Sequence, residues 1–265
     1  MSFSVDNSKS REVATQPLRH ITSDYQLQTR RPLVCLVFVL PFLFFYEIGV
    51  ILLGTNSIRS GLDVWLSNIL GYVGASELLL LPLLTIFVLF GKHHFQRDSW
   101  SIRPRVLIGM LFESLGLALI IWFAAKAQHL FLLQFSDQPT LKMFINSQAT
   151  DSSKLFGWPQ LVSFCGAGLY EELAFRLLLL PGLIWALIRC RLNPYWATGL
   201  AVVLSSLFFA ATHCEFLNPA ALPFEWPSFM ARVVVSIFFC AVFLFRGFGV
   251  VVGAHVFYDV IAQCW

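Results

Sequence analysis

One long apolar segment with three charges near its centre decides the fold. Residues 159–188 read PQLVSFCGAGLYEELAFRLLLLPGLIWALI, and the charged side chains in this segment are Glu171, Glu172 and Arg176. A helix needs about 20 apolar residues to cross a hydrocarbon layer roughly 30 Å thick. Because this segment is longer than that, it predicts a membrane helix that is tilted, or kinked near Pro181 and Gly182.

Apolar runs of similar character recur along the whole chain. Of its 265 residues, 57% are hydrophobic and 12% are charged, against about 45–50% and about 25% in ordinary soluble domains. The sequence therefore predicts an all-α, polytopic transmembrane helix bundle with about seven spans and short interfacial helices. Besides 159–188, the predicted spans are 32–53, 78–90, 106–125, 195–218, 229–245 and 250–264.

The segments between the spans divide the chain further. Residues 1–31 are polar and predict a flexible cytoplasmic tail. Leu62, Trp65, Leu66 and Ile69 recur at one-face helical spacing, which is typical of an interfacial helix. Residues 127–158 predict a long loop with a short surface helix. We expect 32–158 to carry membrane helices without motifs, and 159–265 to form the functional core.

The distribution of Lys and Arg predicts the orientation. Four basic groups fall on one side if the spans alternate, and the positive-inside rule assigns that side to the cytoplasm. The amino terminus is then cytoplasmic and the carboxyl terminus outside, in the plasma (inner) membrane. The groups are Lys9, Arg11, Arg19, Arg30 and Arg31; Lys92, Arg97, Arg103 and Arg105; Arg189 and Arg191; and Arg246.

Neither the net charge nor the cysteines point to a special partner or compartment. The net charge is only +3, and the basic residues form no continuous patch, so nucleic acid is not expected as a partner. The six cysteines lie in or beside apolar runs without paired spacing. We interpret them as small buried hydrophobic residues and not as a disulfide framework.

Ionisable side chains within a membrane helix need an explanation, since each costs roughly 2.5–3.5 kcal/mol on insertion scales. Glu172 and Arg176 are four residues apart, so they share a helix face and can form an ion pair. Glu171 is turned about 100° away and lacks that partner. Such a carboxylate can accept a proton from water, as a general base must. The alternative is that all three residues only bridge helices.

Two further spans carry imidazoles. Phe209 and His213 lie late in the fifth span, and His255 and Asp259 lie four residues apart in the seventh. A lone buried histidine is usually a hydrogen-bonding residue, but together these helices offer complementary acid, base and hydrogen-bonding groups. Weaker candidates are Glu47, Glu77 and Glu113, which look isolated, and His93 and His94, which we expect to be solvated beside a basic loop. The phosphate-loop, nucleophile-elbow and HExxH motifs do not occur.

Taken in order, the three motifs resemble a known membrane-protein family. The pattern Glu171-Glu172-x-x-x-Arg176, Phe209-x-x-x-His213 and His255-x-x-x-Asp259 is similar to that of the CPBP family, the CAAX-protease and bacteriocin-processing (Abi) membrane peptidases. The Rce1-type prenyl-protein endopeptidases belong to this family. The resemblance covers about residues 159–265.

The resemblance implies a role for each motif residue. Glu171 would activate water with help from His213, while Glu172 and Arg176 would shape the site together with Phe209. His255 and position 259 would stabilise the oxyanion. This chain departs from the family pattern at Asp259, where Asn is frequent, and at Leu177, where Gly is common.

The aspartate at position 259 changes the expected chemistry. An ionised Asp cannot donate to an oxyanion, so either Asp259 is protonated or it holds His255 as a charged donor. We favour the second role.

The resemblance leaves the cofactor open. Family members have been regarded as metallopeptidases, and Glu171, His213 and His255 could provide three zinc ligands with one open position for water. The alternative, which we favour, uses glutamate and histidine directly without a metal.

The function we expect is an intramembrane endopeptidase acting on a peptide or membrane-protein substrate in or near the bilayer. Whether the substrate is prenylated, a bacteriocin precursor or another membrane protein stays open. One alternative is a non-catalytic immunity or peptide-binding scaffold protein. Another is a proton-coupled or small-solute transporter, since Glu, His and Arg also build proton relays. The repeated halves typical of transporters are not visible in the sequence.

Overall fold

The computed structural model describes residues 24–54, 80–135, 157–215 and 224–264, and these residues form helices without strands. This confirms the all-α prediction. The helices are α1 Pro32–Leu53, α2 Leu80–Gln96, α3 Pro104–Phe135, α4 Trp158–Glu172, α5 Leu180–Arg189, α6 Pro194–Thr212, α7 Trp226–Arg246 and α8 Phe248–Cys264. A π-helical segment, Leu173–Leu179, joins α4 to α5.

Four of the described helices are long and apolar enough to cross a membrane. They are α1, the Pro104–Gln128 part of α3, α6 and α7; helix α8 is apolar but shorter, with 17 residues. A helical membrane bundle fits these lengths and compositions, and the count of about seven spans stays a prediction. Helix α3 extends to Phe135, so the predicted loop cannot begin at 127. The predicted interfacial stretch around 62–69 and the rest of that loop lie outside the described residues.

Helix α8 lies inside the bundle and packs against α1, α3, α4 and α7. Every residue from Phe248 to Val256 is buried. Two glycines allow this close packing: a Cβ at Gly249 would lie 2.6 Å from the end of Met110, and one at Gly253 would lie 2.6 Å from Ser114 Oγ. The central position of α8 brings His255 into the interior.

Helix α6 has a well-defined start and one buried face. Pro194 occupies its first turn, and the Asn193 side chain accepts a hydrogen bond from the Tyr195 N–H at 3.0 Å. Ala197, Ala201, Ser205 and Phe209 recur every four residues and are buried, so they form one stripe on the helix. Helix α6 packs against α7 and α5, and within the stripe Ser205 donates to the Phe175 carbonyl of the π-helical segment at 3.3 Å. His213 follows the stripe directly at the carboxyl end of α6.

The kink expected near Pro181 corresponds to the π-helical segment, which lies just before the proline. Leu173–Leu179 follows the π-helical pattern, in which a backbone N–H donates to the carbonyl five residues earlier, instead of four as in an α-helix. The Leu180 N–H, for example, donates to the carbonyl of Phe175. Pro181 has no N–H to donate back into this turn, which favours such a change of register. The helix continues through Pro181 to Arg189.

The amino-terminal part of the bundle corrects two expectations. Residues 24–29, assigned above to a flexible tail, are helical, and Thr29 is fully buried. Glu113, which looked isolated, forms an ion pair with Arg246, with Nη2 to Oε2 at 2.7 Å. It also accepts a hydrogen bond from the Tyr25 hydroxyl at 2.9 Å. Burial and the neighbouring Glu113 carboxylate raise the pKa of Tyr25 above its usual range.

His93 and the cysteines also differ in part from the expectation. His93 is 1% exposed and packs edge-on against Trp100, so the prediction that it is solvated is wrong, whereas His94 is exposed as expected. All six cysteines are free, and Cys35, Cys165, Cys214 and Cys240 are buried. Cys190 and Cys264 are exposed in the protein alone, so the prediction of burial fails for these two.

Gly168 sets the distance between α4 and α8, and we expect Gly168→Ala to destabilise the protein by roughly 1–3 kcal/mol. A Cβ at this position would lie 2.5 Å from Val256 Cγ2 and 3.0 Å from the Val256 backbone nitrogen, so the two helices would have to separate. Thermal unfolding in detergent measures the effect.

The matched control for Gly168→Ala is Gly199→Ala, because a Cβ at this exposed position of α6 meets nothing within 4 Å. Helix propensity alone should leave this variant unchanged or slightly more stable. Equal losses of stability in the two variants would contradict the packing described here.

Candidate active site

Glu172 and Arg176 form the predicted ion pair, fully buried inside the bundle. Arg176 Nη1 lies 3.0 Å from Glu172 Oε1, and both side chains are inaccessible to solvent. Arg176 Nη2 also donates to Ser236 Oγ on α7 at 3.1 Å. The guanidinium group lies 4.5 Å from the centre of the Phe209 ring, a favourable cation–π distance. The pair therefore joins α4, the π-helical segment, α6 and α7.

Glu171 points away from this pair and lies between two imidazoles. His213 Nε2 lies 3.8 Å from Glu171 Oε1, and His255 Nε2 lies 3.9 Å from Glu171 Oε2. Each histidine thus faces a different oxygen of one carboxylate. Both separations are too long for a direct hydrogen bond, but one water can bridge two polar atoms at such a distance. Three separate helices supply these side chains.

The tautomer of His213 follows from a backbone hydrogen bond. Its Nδ1 lies 2.9 Å from the carbonyl oxygen of Phe209, and a carbonyl oxygen accepts only, so Nδ1 must carry a proton. In the neutral ring the lone pair is then on Nε2, the atom that faces Glu171. His213 is half-buried at the end of α6, so solvent can approach this side of the site.

His255 is held by carboxylates on both sides. Its Nδ1 lies 2.7 Å from Glu172 Oε1, which makes Nδ1 the donor. Its Nε2 lies 3.6 Å from Asp259 Oδ2, and the ring stacks on Phe239 with centres 4.9 Å apart. Glu172 therefore serves both Arg176 and His255 and couples the ion pair to the imidazole.

Several neighbouring residues were missed or under-rated by the sequence analysis. Ser236 and Phe239 of α7 contact Arg176 and His255, yet a lone Ser or Phe in an apolar helix gives no signal. Glu47, for which no sequence partner was found, accepts a hydrogen bond from the Tyr170 hydroxyl. Arg232 of α7 lies within electrostatic range of Glu171; its charge inside a predicted span was the available signal.

The residues of the hypothetical zinc site do not form a metal-binding group as they are placed. Among the residues that the structure describes, no group of three His, Cys, Asp or Glu side chains could hold a metal ion. His213 Nε2 and His255 Nε2 face different oxygens of the Glu171 carboxylate, whereas zinc ligands direct their donor atoms at one point. We therefore derive no step through a metal.

Comparison with known proteins supports the family resemblance. Residues 154–261 match the family model described as type II CAAX prenyl endopeptidase Rce1-like. The match covers less than half of the chain but includes all three motifs and excludes α1–α3. The comparisons with curated proteins and with solved structures found no match.

Proposed function

Because residues 154–261 match the Rce1-like family model, we propose that this protein is an integral-membrane endopeptidase that hydrolyses its substrate with a water activated by Glu171. The family match supports a CAAX-type membrane endopeptidase in general. The observation that carries the mechanism is the position of the Glu171 carboxylate between the Nε2 atoms of His213 and His255, at 3.8 and 3.9 Å.

Glu171 and His213 hold the water in this mechanism. Glu171 Oε1 and His213 Nε2 both accept hydrogen bonds, so one water can donate a hydrogen to each. As the water oxygen bonds to the scissile carbonyl carbon, its proton passes to Glu171. Support comes from the 2.9 Å contact of His213 Nδ1 with the Phe209 carbonyl, which leaves Nε2 as the acceptor.

His255 stabilises the oxyanion that forms on the carbonyl oxygen. Glu172 accepts from Nδ1, so a protonated ring presents a second N–H at Nε2. Asp259 does not donate here; it lies 3.6 Å from Nε2 and keeps the ring in its charged form. When the intermediate collapses, the C–N bond breaks, and the proton held by Glu171 passes to the leaving amine.

Glu172, Arg176 and Phe209 shape the site without touching the reacting atoms. Glu172 orients His255, Arg176 neutralises Glu172, and the Phe209 ring packs on Arg176 while its carbonyl orients His213. Because these contacts form one connected set, the side chains around Glu171 are held in place before substrate arrives.

We assign a prenylated, carboxyl-terminal peptide tail as the substrate class, because this is the activity named in the matching family. From the Lys and Arg distribution we place the amino terminus in the cytoplasm.

Purified protein in lipid nanodiscs, incubated with a farnesylated peptide that ends in Cys-Val-Ile-Ser, tests the function. We expect release of the tripeptide Val-Ile-Ser, detected by mass spectrometry. Binding of the peptide without release of any fragment would instead support a peptide-binding scaffold protein.

Metal removal tests the metal-free mechanism. A strong chelator such as 1,10-phenanthroline should leave the rate of peptide release within roughly twofold of the untreated rate, because Glu171 and the histidines carry the proton transfers. Complete loss of activity that added zinc restores would contradict this mechanism and support the three-ligand zinc site.

A further inference from the structure

Arg232 is a cation on the active-site face of α7 that the proposed mechanism does not use. It precedes Ser236 by four residues, so the two side chains share one face of the helix. Ser236 contacts Arg176 beside the catalytic carboxylates. Arg232 therefore lies about 6 Å along α7 from Ser236, which contacts the ion pair. It lies nearer the amino-terminal end of α7, the end close to His213.

The contacts of Arg232 leave its charge without a close carboxylate. Its Nη1 donates to Ser228 Oγ at 2.6 Å, and a serine cannot neutralise a cation. Among the residues that the structure describes, no Asp or Glu lies within ion-pair distance of it. The charged and titratable groups in electrostatic range are Cys214, Tyr258, Glu171 and Glu225, which come from α8 and from the ends of α4, α6 and α7.

A solvated surface arginine would be exposed and would not be surrounded by these groups. Arg232 is half-buried, and its surroundings include Glu171 of the active site. A guanidinium group in such a position can bind a carboxylate through two parallel hydrogen bonds, which makes it a specific anion site. The nearest anion that the proposed reaction supplies is a part of the substrate.

We propose that Arg232 binds the free carboxyl-terminal carboxylate of the substrate peptide. The proposal rests on the function assigned above. A Cys-a-a-X tail ends three residues beyond its lipid-modified cysteine, and three extended residues span at most about 11 Å. Arg232 lies one helical turn from Ser236 along α7, and Glu171 is within electrostatic range of it. A tail of this length whose first peptide bond is at Glu171 can therefore extend towards the guanidinium group.

A pair of farnesylated peptides that differ only at the end tests this assignment. One ends in a free carboxylate and the other in a carboxamide. We expect wild-type protein to cleave the carboxylate peptide with a kcat/KM at least roughly tenfold higher than that for the carboxamide peptide. The reason is that hydrogen bonds between two charged groups are stronger than those to a neutral amide. Arg232→Gln should abolish this preference, and Arg232→Lys should retain part of it because the charge remains.

Arg105→Gln, which removes an exposed arginine at the start of α3, is the matched control and should keep the full preference. Equal cleavage of the two peptides by wild type would overturn the assignment. So would a preference that survives in Arg232→Gln.

Binding separates this assignment from the proposed function. In the Glu171→Gln background, binding of the two peptides measures the preference for the carboxylate without any cleavage. If wild type cleaves neither peptide, the peptidase proposal fails, and the binding preference still decides the role of Arg232. If both peptides are cleaved equally in a Glu171-dependent way, only the role of Arg232 is wrong.

Discussion

Glu171→Gln is expected to lower kcat/KM for peptide cleavage by roughly 10²–10⁴-fold, the range typical of a lost general base. Glutamine has the shape of glutamate but cannot take a proton from water. The variant should fold, because His213 and His255 lie 3.8 and 3.9 Å from Glu171 and are not directly hydrogen-bonded to it. Release of the tripeptide from the farnesylated peptide measures the effect.

The control for Glu171→Gln is Glu215→Gln, which changes an exposed carboxylate two residues after His213. This variant should cleave at the wild-type rate. Cleavage at the wild-type rate by Glu171→Gln would show that another group activates the water. Peptide binding by both proteins without any cleavage would leave the scaffold hypothesis as the better account.

Arg176→Met is expected to destabilise the protein by about 3–5 kcal/mol, the cost of leaving one member of a buried ion pair without its partner. Glu172 would keep only the contact with His255 Nδ1, since its Oε2 already lacks a hydrogen bond among the described residues. Methionine fills most of the space beside Phe209 and Ser236, so the loss should come from charge more than from packing. Denaturant unfolding in detergent measures it.

The double variant Arg176→Met/Glu172→Gln separates charge from volume. Since glutamine leaves no buried charge behind, the double variant should recover much of the stability lost in Arg176→Met. Its activity should stay low, because His255 loses the carboxylate that orients it. A double variant less stable than Arg176→Met would contradict the ion-pair explanation.

The membrane helices followed from continuous apolar runs. Residues 32–53 were predicted as a span and form α1 with the same bounds, because the single charge of Glu47 leaves the run strongly apolar and the helix continues through Pro41. The end of α3 was placed too early since its last residues mix Lys126, Gln128 and His129 with apolar ones. The π-helical segment could not be predicted, because a change in hydrogen-bond register leaves the apolar pattern unaltered.

Contacts within one helix were easier to predict than contacts between helices. The spacing of Glu172 and Arg176 predicted their ion pair, which is present at 3.0 Å. Glu47 contacts Tyr170 and Glu113 pairs with Arg246, each more than 100 residues away, so sequence spacing carried no information about these contacts.

The convergence of the three motifs depends on helix packing. Sequence order places Glu171, His213 and His255 on three helices, but their separations depend on how closely those helices approach. Gly168 allows α4 to lie against Val256 of α8, one residue after His255. The sequence alone does not show that Gly168 allows this close packing, because its neighbour on the other helix is not known from the sequence.

The most direct test of the account is an experimental structure in lipid that resolves ordered water and includes anomalous scattering data for zinc. We expect a water within hydrogen-bond distance of Glu171 Oε1 and His213 Nε2, with His255 Nε2 directed at the space beside it. A zinc peak about 2.1 Å from Glu171, His213 and His255 would contradict it. So would a structure in which these three side chains face separate surfaces.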